Sequence, residues 1–334
     1  MISKERVKRA IHFQGPNHIP HYLPDGEEND ILWLWSDWRK EENPWKESEN
    51  GIWERRDIWG TLWRRFGPQG IGEAADLPLS DWDRFDSYIF PEINRANVEQ
   101  STVKQMYDNP DKYFLGVMPY SSLFEGAHNI RGLENLLVDF YEESEKVNRL
   151  LAQLMEGQIR SIDILNDLGV DGVMGYDDWG IQDRPLISMA LWDQYFRPRY
   201  QKIWDYAHSK GLDIWLHSCG YILPFLKEMV KIGLNVIQMD QQENIGLEIL
   251  DREVGGKVAF WCPVDIQQTM IQGSLEDIRQ YVKKMIYHLG RFNGGLISMY
   301  YTSPNVINHT EEKLLMMSQA FREYGVYPVS DSLL

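Results

Sequence analysis

The sequence predicts an α/β fold built on a parallel sheet. From about residue 112 onward, short apolar runs alternate with segments of helical period. Polar residues gather where successive runs end: Asp177 and Asp178, His217 and Cys219, Asp240, Cys262 and Asp265, then Tyr300 and Tyr301. No GxGxxG follows a strand, which weakens a dinucleotide-binding reading. The alternation itself admits an open doubly wound sheet or a closed barrel. In a barrel those strand ends all face one pocket.

Residues 3 to 13 predict a short basic helix, and HIPHYLP (18–24) a short strand bounded by prolines. Residues 25–110 are irregular and rich in Trp, Pro and charge, an expected lid-like elaboration of a single domain spanning 1–334. Within them DIWGTLWRRFGPQG (57–70) reads as an antiparallel excursion with a Gly turn. YFLGVMPY (113–120) predicts a strand and 131–167 a helical region with Leu136, Leu137 and Phe140 on one side. GVDGVMGYDD (169–178) is a buried strand ending in two acids. Ser188 caps the next helix, and Pro198 should bend or divide it. Strands follow at LDIWLHSCG, LNVIQMD, KVAFWC and GGLISMYY. Helices intervene at YILPFLKEMVKIG, IGLEILDREVGG and after the capping-box pair Ser274/Asp277. Thr310 is the expected cap of a last helix with acids in its first turn and Gly325 at its end. The eighth strand of a barrel would be HIPHYLP.

A chain of 334 residues with 43% hydrophobic and 13% aromatic content can bury a sizeable core. Its net charge of -16 argues against nucleic acid, which needs clustered positive charge, and against an anionic membrane surface. No apolar run reaches membrane-spanning length, and the charged N-terminus lacks the apolar core of a secretory signal. Two cysteines make no disulfide framework and predict thiols in a reducing cytoplasm.

WLHSCG (215–220) carries the sharpest chemistry. His217 and Cys219 stand at i and i+2 just where a strand ends, so a local bend turns both inward. Imidazole nitrogen and thiolate sulfur suit zinc. The bland alternative is a histidine fixed by a hydrogen bond beside a buried thiol. Cys262, at the tip of KVAFWC, would complete a His/Cys/Cys set with one position open, or simply be buried; Asp240 or Glu243 could stand in. Only one of Asp177 and Asp178 is expected in the pocket, because adjacent strand residues face opposite ways. There it would act as acid, base or cation holder, or else cap a helix. Gln182 and Arg184 follow in the same loop, Arg184 suited to a carboxylate or to a nearby acid. His18 and His21 could reach the pocket mouth, though satisfied histidines are the commoner outcome. His128 beside Glu125 suggests a proton relay. Trp179, Gln241 and Tyr300 complete the expected substrate-binding set.

The motifs DIWGTLW, GVDGVMGYDDWGIQ, WLHSCG, VIQMDQQEN, FWCPVDIQ and GGLISMYYTSPNVI occur in an order that resembles the uroporphyrinogen decarboxylase superfamily. The resemblance spans most of the chain and implies a (β/α)8 TIM barrel. DDWGIQ, then HSCG, then VDIQ resemble its methyltransferase-like branch, whose members move methyl groups between small substrates and a corrinoid protein or coenzyme thiol. Many use a zinc site of HxC plus a later cysteine. The first two ligands carry over to His217 and Cys219. The later cysteine falls near the last strand, where this chain reads SMYYTSP, so either Cys262 or an acid supplies the third ligand, or the chain binds metal differently or not at all. The arginine-bearing N-terminal signature of the heme-pathway decarboxylases is replaced by HIPHYLPDGEEND, which argues against tetrapyrrole decarboxylation.

The expected function is therefore zinc-dependent, corrinoid-linked demethylation of a small methoxylated or methylamine-type compound by a cytoplasmic protein. Its catalytic residues would be His217 with Asp177 or Asp178, its substrate-binding residues His21, Trp179, Gln182, Arg184, Gln241 and Tyr300, and its metal ligands His217, Cys219 and Cys262. A homodimer and a separate corrinoid protein are the expected partners. A metal-free decarboxylase or lyase using Arg184, or a non-catalytic ligand-binding barrel, are the alternatives.

Overall fold

The computed structural model describes residues 1–24, 26, 29–35, 38, 43–48, 50–68, 70, 72–330 and 333. Asp25, Glu27 and Glu28, after the HIPHYLP segment, and Gln69, in the expected Gly turn, lie outside them.

Seven parallel strands form one curled sheet: β1 (Ile31–Leu34), β6 (Tyr113–Val117), β7 (Gly172–Tyr176), β8 (Asp213–His217), β9 (Val236–Gln238), β10 (Ala259–Cys262) and β11 (Leu296–Ser298), adjacent in that order. The eighth place belongs to the HIPHYLP segment, which is not a regular strand. Ser298 N donates to Pro20 O at 2.9 Å and Tyr22 N to Ser298 O at 3.1 Å, while Asp30 N donates to His21 O at 2.8 Å. The segment thus bridges β11 to the start of β1 and closes a (β/α)8-type barrel.

The elaboration is smaller than 25–110 suggested. ILWL (31–34) is itself a barrel strand, in register with β6 from Ile31↔Tyr113 to Leu34↔Gly116. Beyond it stands a four-stranded antiparallel sheet, β2 (Lys46–Glu47), β3 (Ile52–Arg56), β4 (Leu62–Phe66) and β5 (Glu73–Asp76), which contains the expected hairpin.

The helical expectations are mostly met. Helix α1 (Ser3–Ile11) sends Val7 and Ile11 into the bottom of the barrel. After α2 (Arg95–Asp108), the region from 124 to 168 is three helices, α3 (Phe124–Arg131), α4 (Leu133–Glu142) and α5 (Ser144–Leu168). Ser188 caps α6 (Met189–Tyr195) through Leu191 N, and Pro198 sits in the first turn of α7 (Arg197–Ser209), where its missing N–H costs nothing. Helices α8 (Leu223–Lys231), α9 (Leu247–Val254), α10 (Thr269–Gln272), α11 (Leu275–Met285) and α12 (Glu311–Tyr324) follow. Both bonds of the Ser274/Asp277 capping box are made. Thr310 holds the N-cap position of α12, but its side chain makes no capping bond. Among the described residues no helix is long and apolar enough to cross a membrane.

Strand alternation divides the core into two layers. Ile31, Tyr113, Leu115, Met174, Trp215, Val236, Ala259, Trp261, Ile297 and Met299 fill the barrel. Their strand neighbours, among them Phe114, Val173, Ile214, Leu216, Ile237, Phe260 and Cys262, face the helices. This phase decides which residues enter the site.

Candidate functional site

The site lies where β7, β8 and β9 end. The loops following β7 and β8 cross backbone to backbone. Asp177 N donates to His217 O at 3.0 Å, Gly180 N to Cys219 O at 3.2 Å and Tyr221 N to Ile181 O at 2.8 Å. The crossing requires two glycines. A Cβ on Gly180 would lie 2.5 Å from Tyr221 N, and one on Gly220, whose φ is +78°, would lie 2.3 Å from Gly180 C.

The crossed loops bring Asp178, His217 and Cys219 together, each offering a donor atom within 4.8 Å of the others. Cys219 Sγ is 3.4 Å from His217 Nε2, which is 3.4 Å from Asp178 Oδ1. Asp178 Oδ1 also accepts the Cys219 N–H at 2.8 Å. Behind the imidazole, His217 Nδ1 is hydrogen-bonded to Gln238 Oε1, and Gln238 Nε2 donates to Asp240 Oδ1 at 2.9 Å.

The groups perturb one another. Burial works to lower the basicity of His217, yet hydrogen bonds with Asp178 and Cys219 carry it well above its ordinary value. Burial would raise the Asp178 carboxyl, but His217 and Cys219 hold it below the ordinary range. Burial raises the Cys219 thiol, against the pull of His217, and raises Asp240 as well. His217 and Asp178 thus favour each other's charged forms.

This donor set fits zinc. Tetrahedral Zn–N, Zn–O and Zn–S bonds of about 2.0–2.3 Å place neighbouring ligand atoms about 3.3–3.6 Å apart, and both distances about His217 Nε2 are 3.4 Å. Three protein donors leave one position for a substrate.

Cys262 is not among them. It is fully buried in the layer between strands and helices, and burial pushes its thiol far up, away from the thiolate a metal needs. Trp261, one residue earlier, is the side chain that enters the barrel. The same phase corrects three more expectations. Asp177 faces α3, where its carboxylate accepts the N–H groups of Leu123 and Glu125 at 2.8 Å and the Tyr200 hydroxyl; burial pushes it up to about 7. It caps α3, while Asp178, one residue on, joins His217 and Cys219. His21 points out to Ser298 Oγ at 3.2 Å, stacks on His18 and lines a cavity with Ser3, Arg6, Asp30 and Lys112 at the strand-entry side. Tyr22 enters the barrel in its place. Trp179 is fully buried outside the barrel, stacked on Phe124 and bonded to Tyr200.

Arg184 and Gln182 stay on the rim. Arg184 is 69% exposed and pairs with its neighbour Asp183 at 3.0 Å; Gln182 donates to Asn244 at 3.0 Å. Gln241 is half-buried before the single turn Gln242–Asn244. Tyr300 stands in a file of aromatic rings that leads to His217. It stacks on Tyr22, which meets Trp33 and Trp261; Trp33 leads to Trp35, Trp35 to Tyr176, and Tyr176 to His217, with ring centroids 5.1–6.0 Å apart. Within this file the Tyr176 hydroxyl interacts with Trp33, and among the described residues Trp261 Nε1 is buried without a hydrogen-bond partner.

Glu125 and His128 flank the cluster on α3. Burial, then the charges of Asp177 and Asp178, pushes Glu125 up to about 8, and burial pushes His128 down to about 4. Near pH 7 both are neutral. Glu125 also lines a cavity of about 180 Å³ with Arg55, Trp59, Tyr120, Ser121 and Asn129, under the antiparallel sheet.

Sequence reasoning missed Gln238, Tyr176, Trp33 and Trp35 as site residues. Their signal was register: Tyr176 and Gln238 are the direct neighbours of His217 on β7 and β9.

A family model described as uroporphyrinogen decarboxylase (URO-D) matches residues 119–302, more than half of the chain. Among solved structures, a methyltransferase from Methanosarcina mazei superposes with a TM-score of 0.69 at 14% identity, over 97% of this chain and 99% of that one. D-psicose 3-epimerase from Clostridium cellulolyticum H10 gives 0.42 at 12% identity, over 73% and 85%. An endo-beta-1,4-xylanase from Gloeophyllum trabeum gives 0.42 at 10%, over 70% and 83%. At 14% identity the likeness to the methyltransferase is one of fold. No curated protein matches the sequence.

Proposed function

The chain belongs to the uroporphyrinogen decarboxylase family, and from that premise we propose that it is a zinc-dependent methyltransferase of the methyltransferase-like branch. It demethylates a small methoxylated or methylamine-type substrate and passes the methyl group to a corrinoid carried by a separate protein. The observation that carries this reading is the Asp178–His217–Cys219 cluster at the strand ends.

Zinc held by His217 Nε2, Cys219 Sγ and Asp178 would supply Lewis acidity to the heteroatom bearing the methyl group. The protein's own groups do the rest. The aromatic wall from Tyr300 through Trp33 to Tyr176, its rings tilted against one another, gives an apolar surface for the substrate body and excludes water from the polar step. Glu125, neutral beside the cluster, holds a proton within the same electrostatic environment. The lyase alternative called for a pocket cation, and Arg184 is a surface residue paired with Asp183.

The test joins metal content to turnover. The zinc-loaded protein is incubated with cob(I)alamin as acceptor and a panel of methoxybenzenes and methylamines, and methylcobalamin is followed by absorbance. Zinc near one per chain with methylcobalamin formation supports the reading. A folded protein that takes up no zinc and transfers no methyl group overturns it.

A further inference from the structure

We infer that Gln238, held by Asp240, is a positioning residue that fixes the tautomer of His217 and so readies Nε2 for a metal. The inference rests on the zinc reading of the site and adds to it a chain of two residues behind the imidazole.

The argument follows hydrogen-bonding capacity outward from the strand. Gln238 and Asp240 stand at i and i+2, on one side of the strand, and Gln238 is the direct neighbour of His217 across the β8–β9 ladder. Gln238 is almost wholly buried. When ionised, Asp240 only accepts, which sets the Gln238 group 2.9 Å from its Oδ1 as the amide NH₂. The other neighbour of that nitrogen is Met299 Sδ at 3.3 Å, again an acceptor. Both contacts orient the amide the same way and leave Oε1 facing His217 Nδ1. An amide oxygen cannot donate. In the neutral ring Nδ1 must therefore carry the proton, and Nε2 then offers its lone pair toward Cys219 and Asp178, 3.4 Å from each. Partner chemistry, not the atom labels, sets the amide orientation. A neutral imidazole in water favours the opposite tautomer, so without Gln238 zinc would first have to drive the proton from Nε2 to Nδ1. Outer partners of this kind tune metal affinity by roughly 10- to 100-fold.

The test uses the full chain and zinc alone. Zinc affinity is measured by competition with a chelator for the wild type, Gln238→Leu, Gln238→Glu and Asp240→Asn. In parallel, ¹⁵N NMR of the metal-free proteins is recorded at a pH where His217 is neutral. Q238L should bind zinc roughly 10- to 100-fold more weakly. Q238E, which keeps an acceptor against Nδ1, should recover most of the loss, a rescue that a merely structural residue would not show. D240N frees the amide to turn over and should shift His217 toward the Nε2–H form. Wild-type His217 should be the Nδ1–H tautomer. If it is the Nε2–H tautomer, or if Q238L and D240N bind zinc like the wild type, the inference fails. If the wild type holds no zinc but its tautomer is Nδ1–H and is lost in Q238L, the metal reading fails while the positioning role of Gln238 stands.

Discussion

Asp178 accepts the backbone N–H of Cys219 at 2.8 Å, and this bond ties the loop after β7 to the loop after β8. It does two jobs with one carboxylate. It fixes the turn that brings the Cys219 thiol to His217, and it supplies the third donor of the cluster.

Removal of that carboxylate should therefore be felt at the metal. Asp178→Ala, like His217→Ala and Cys219→Ala, should be purified without bound zinc, as read by elemental analysis. Cys262→Ala should keep its zinc. It should lose only about 1 kcal/mol of stability, the order of one small buried apolar group. Zinc loss in C262A with retention in D178A would reverse the ligand assignment.

The glycine crossing offers a second handle. Gly220→Ala places a Cβ 2.3 Å from the Gly180 backbone at a φ of +78°. Clash and backbone strain together should cost about 3 kcal/mol or more. Urea unfolding should show the midpoint fall and zinc content should drop with it, since the crossing aligns Asp178 with Cys219. A G220A protein with wild-type stability and full zinc would show that the crossing has slack.

Glu125 makes a prediction about pH. Its carboxyl is raised from 4.5 to about 8, chiefly by burial, so the folded metal-free protein favours the protonated acid. Stability tied to this group is present below pH 4.5 and is lost as pH rises through about 8. Glu125→Gln removes the titration. In urea titrations of metal-free protein, the stability of E125Q relative to wild type should grow between those limits and level off above them. A difference independent of pH would contradict the burial assigned here.

His12 behaves in the same sense for a different cause. Its Nε2 lies 2.9 Å from Asp213 Oδ1 under the barrel, and that hydrogen bond raises it above 6.5 against the cost of burial. The contribution is complete below pH 6.5 and disappears as pH climbs through the raised value. The Tm gap between wild type and His12→Gln should therefore be widest near pH 5.5 and narrow at pH 9. A gap that widens at alkaline pH would be the wrong sign.

How far the sequence reaches is clearest at its strand ends. The alternation of strands and helices, the division at Pro198, the Ser274/Asp277 box and the pairing of His217 with Cys219 all depend on residues near one another in the chain. Local propensity, capping and period determine them, and they were legible without coordinates. The identity of the third ligand was not. Asp177 and Asp178, His21 and Tyr22, Trp261 and Cys262 are neighbours whose side chains leave the strand on opposite sides. A short apolar run does not reveal its own phase, because in a barrel covered by helices both faces are buried. The phase was decided by packing: Trp261, Tyr176 and Tyr22 face the interior, and one step along the chain sends Cys262, Asp177 and His21 away from it. Register then set Gln238 beside His217, a contact between residues far apart in the chain. The sequence by itself determined which chemistry stands at the barrel mouth; only the closed tertiary structure, by fixing phase and register together, decided which side chains meet there.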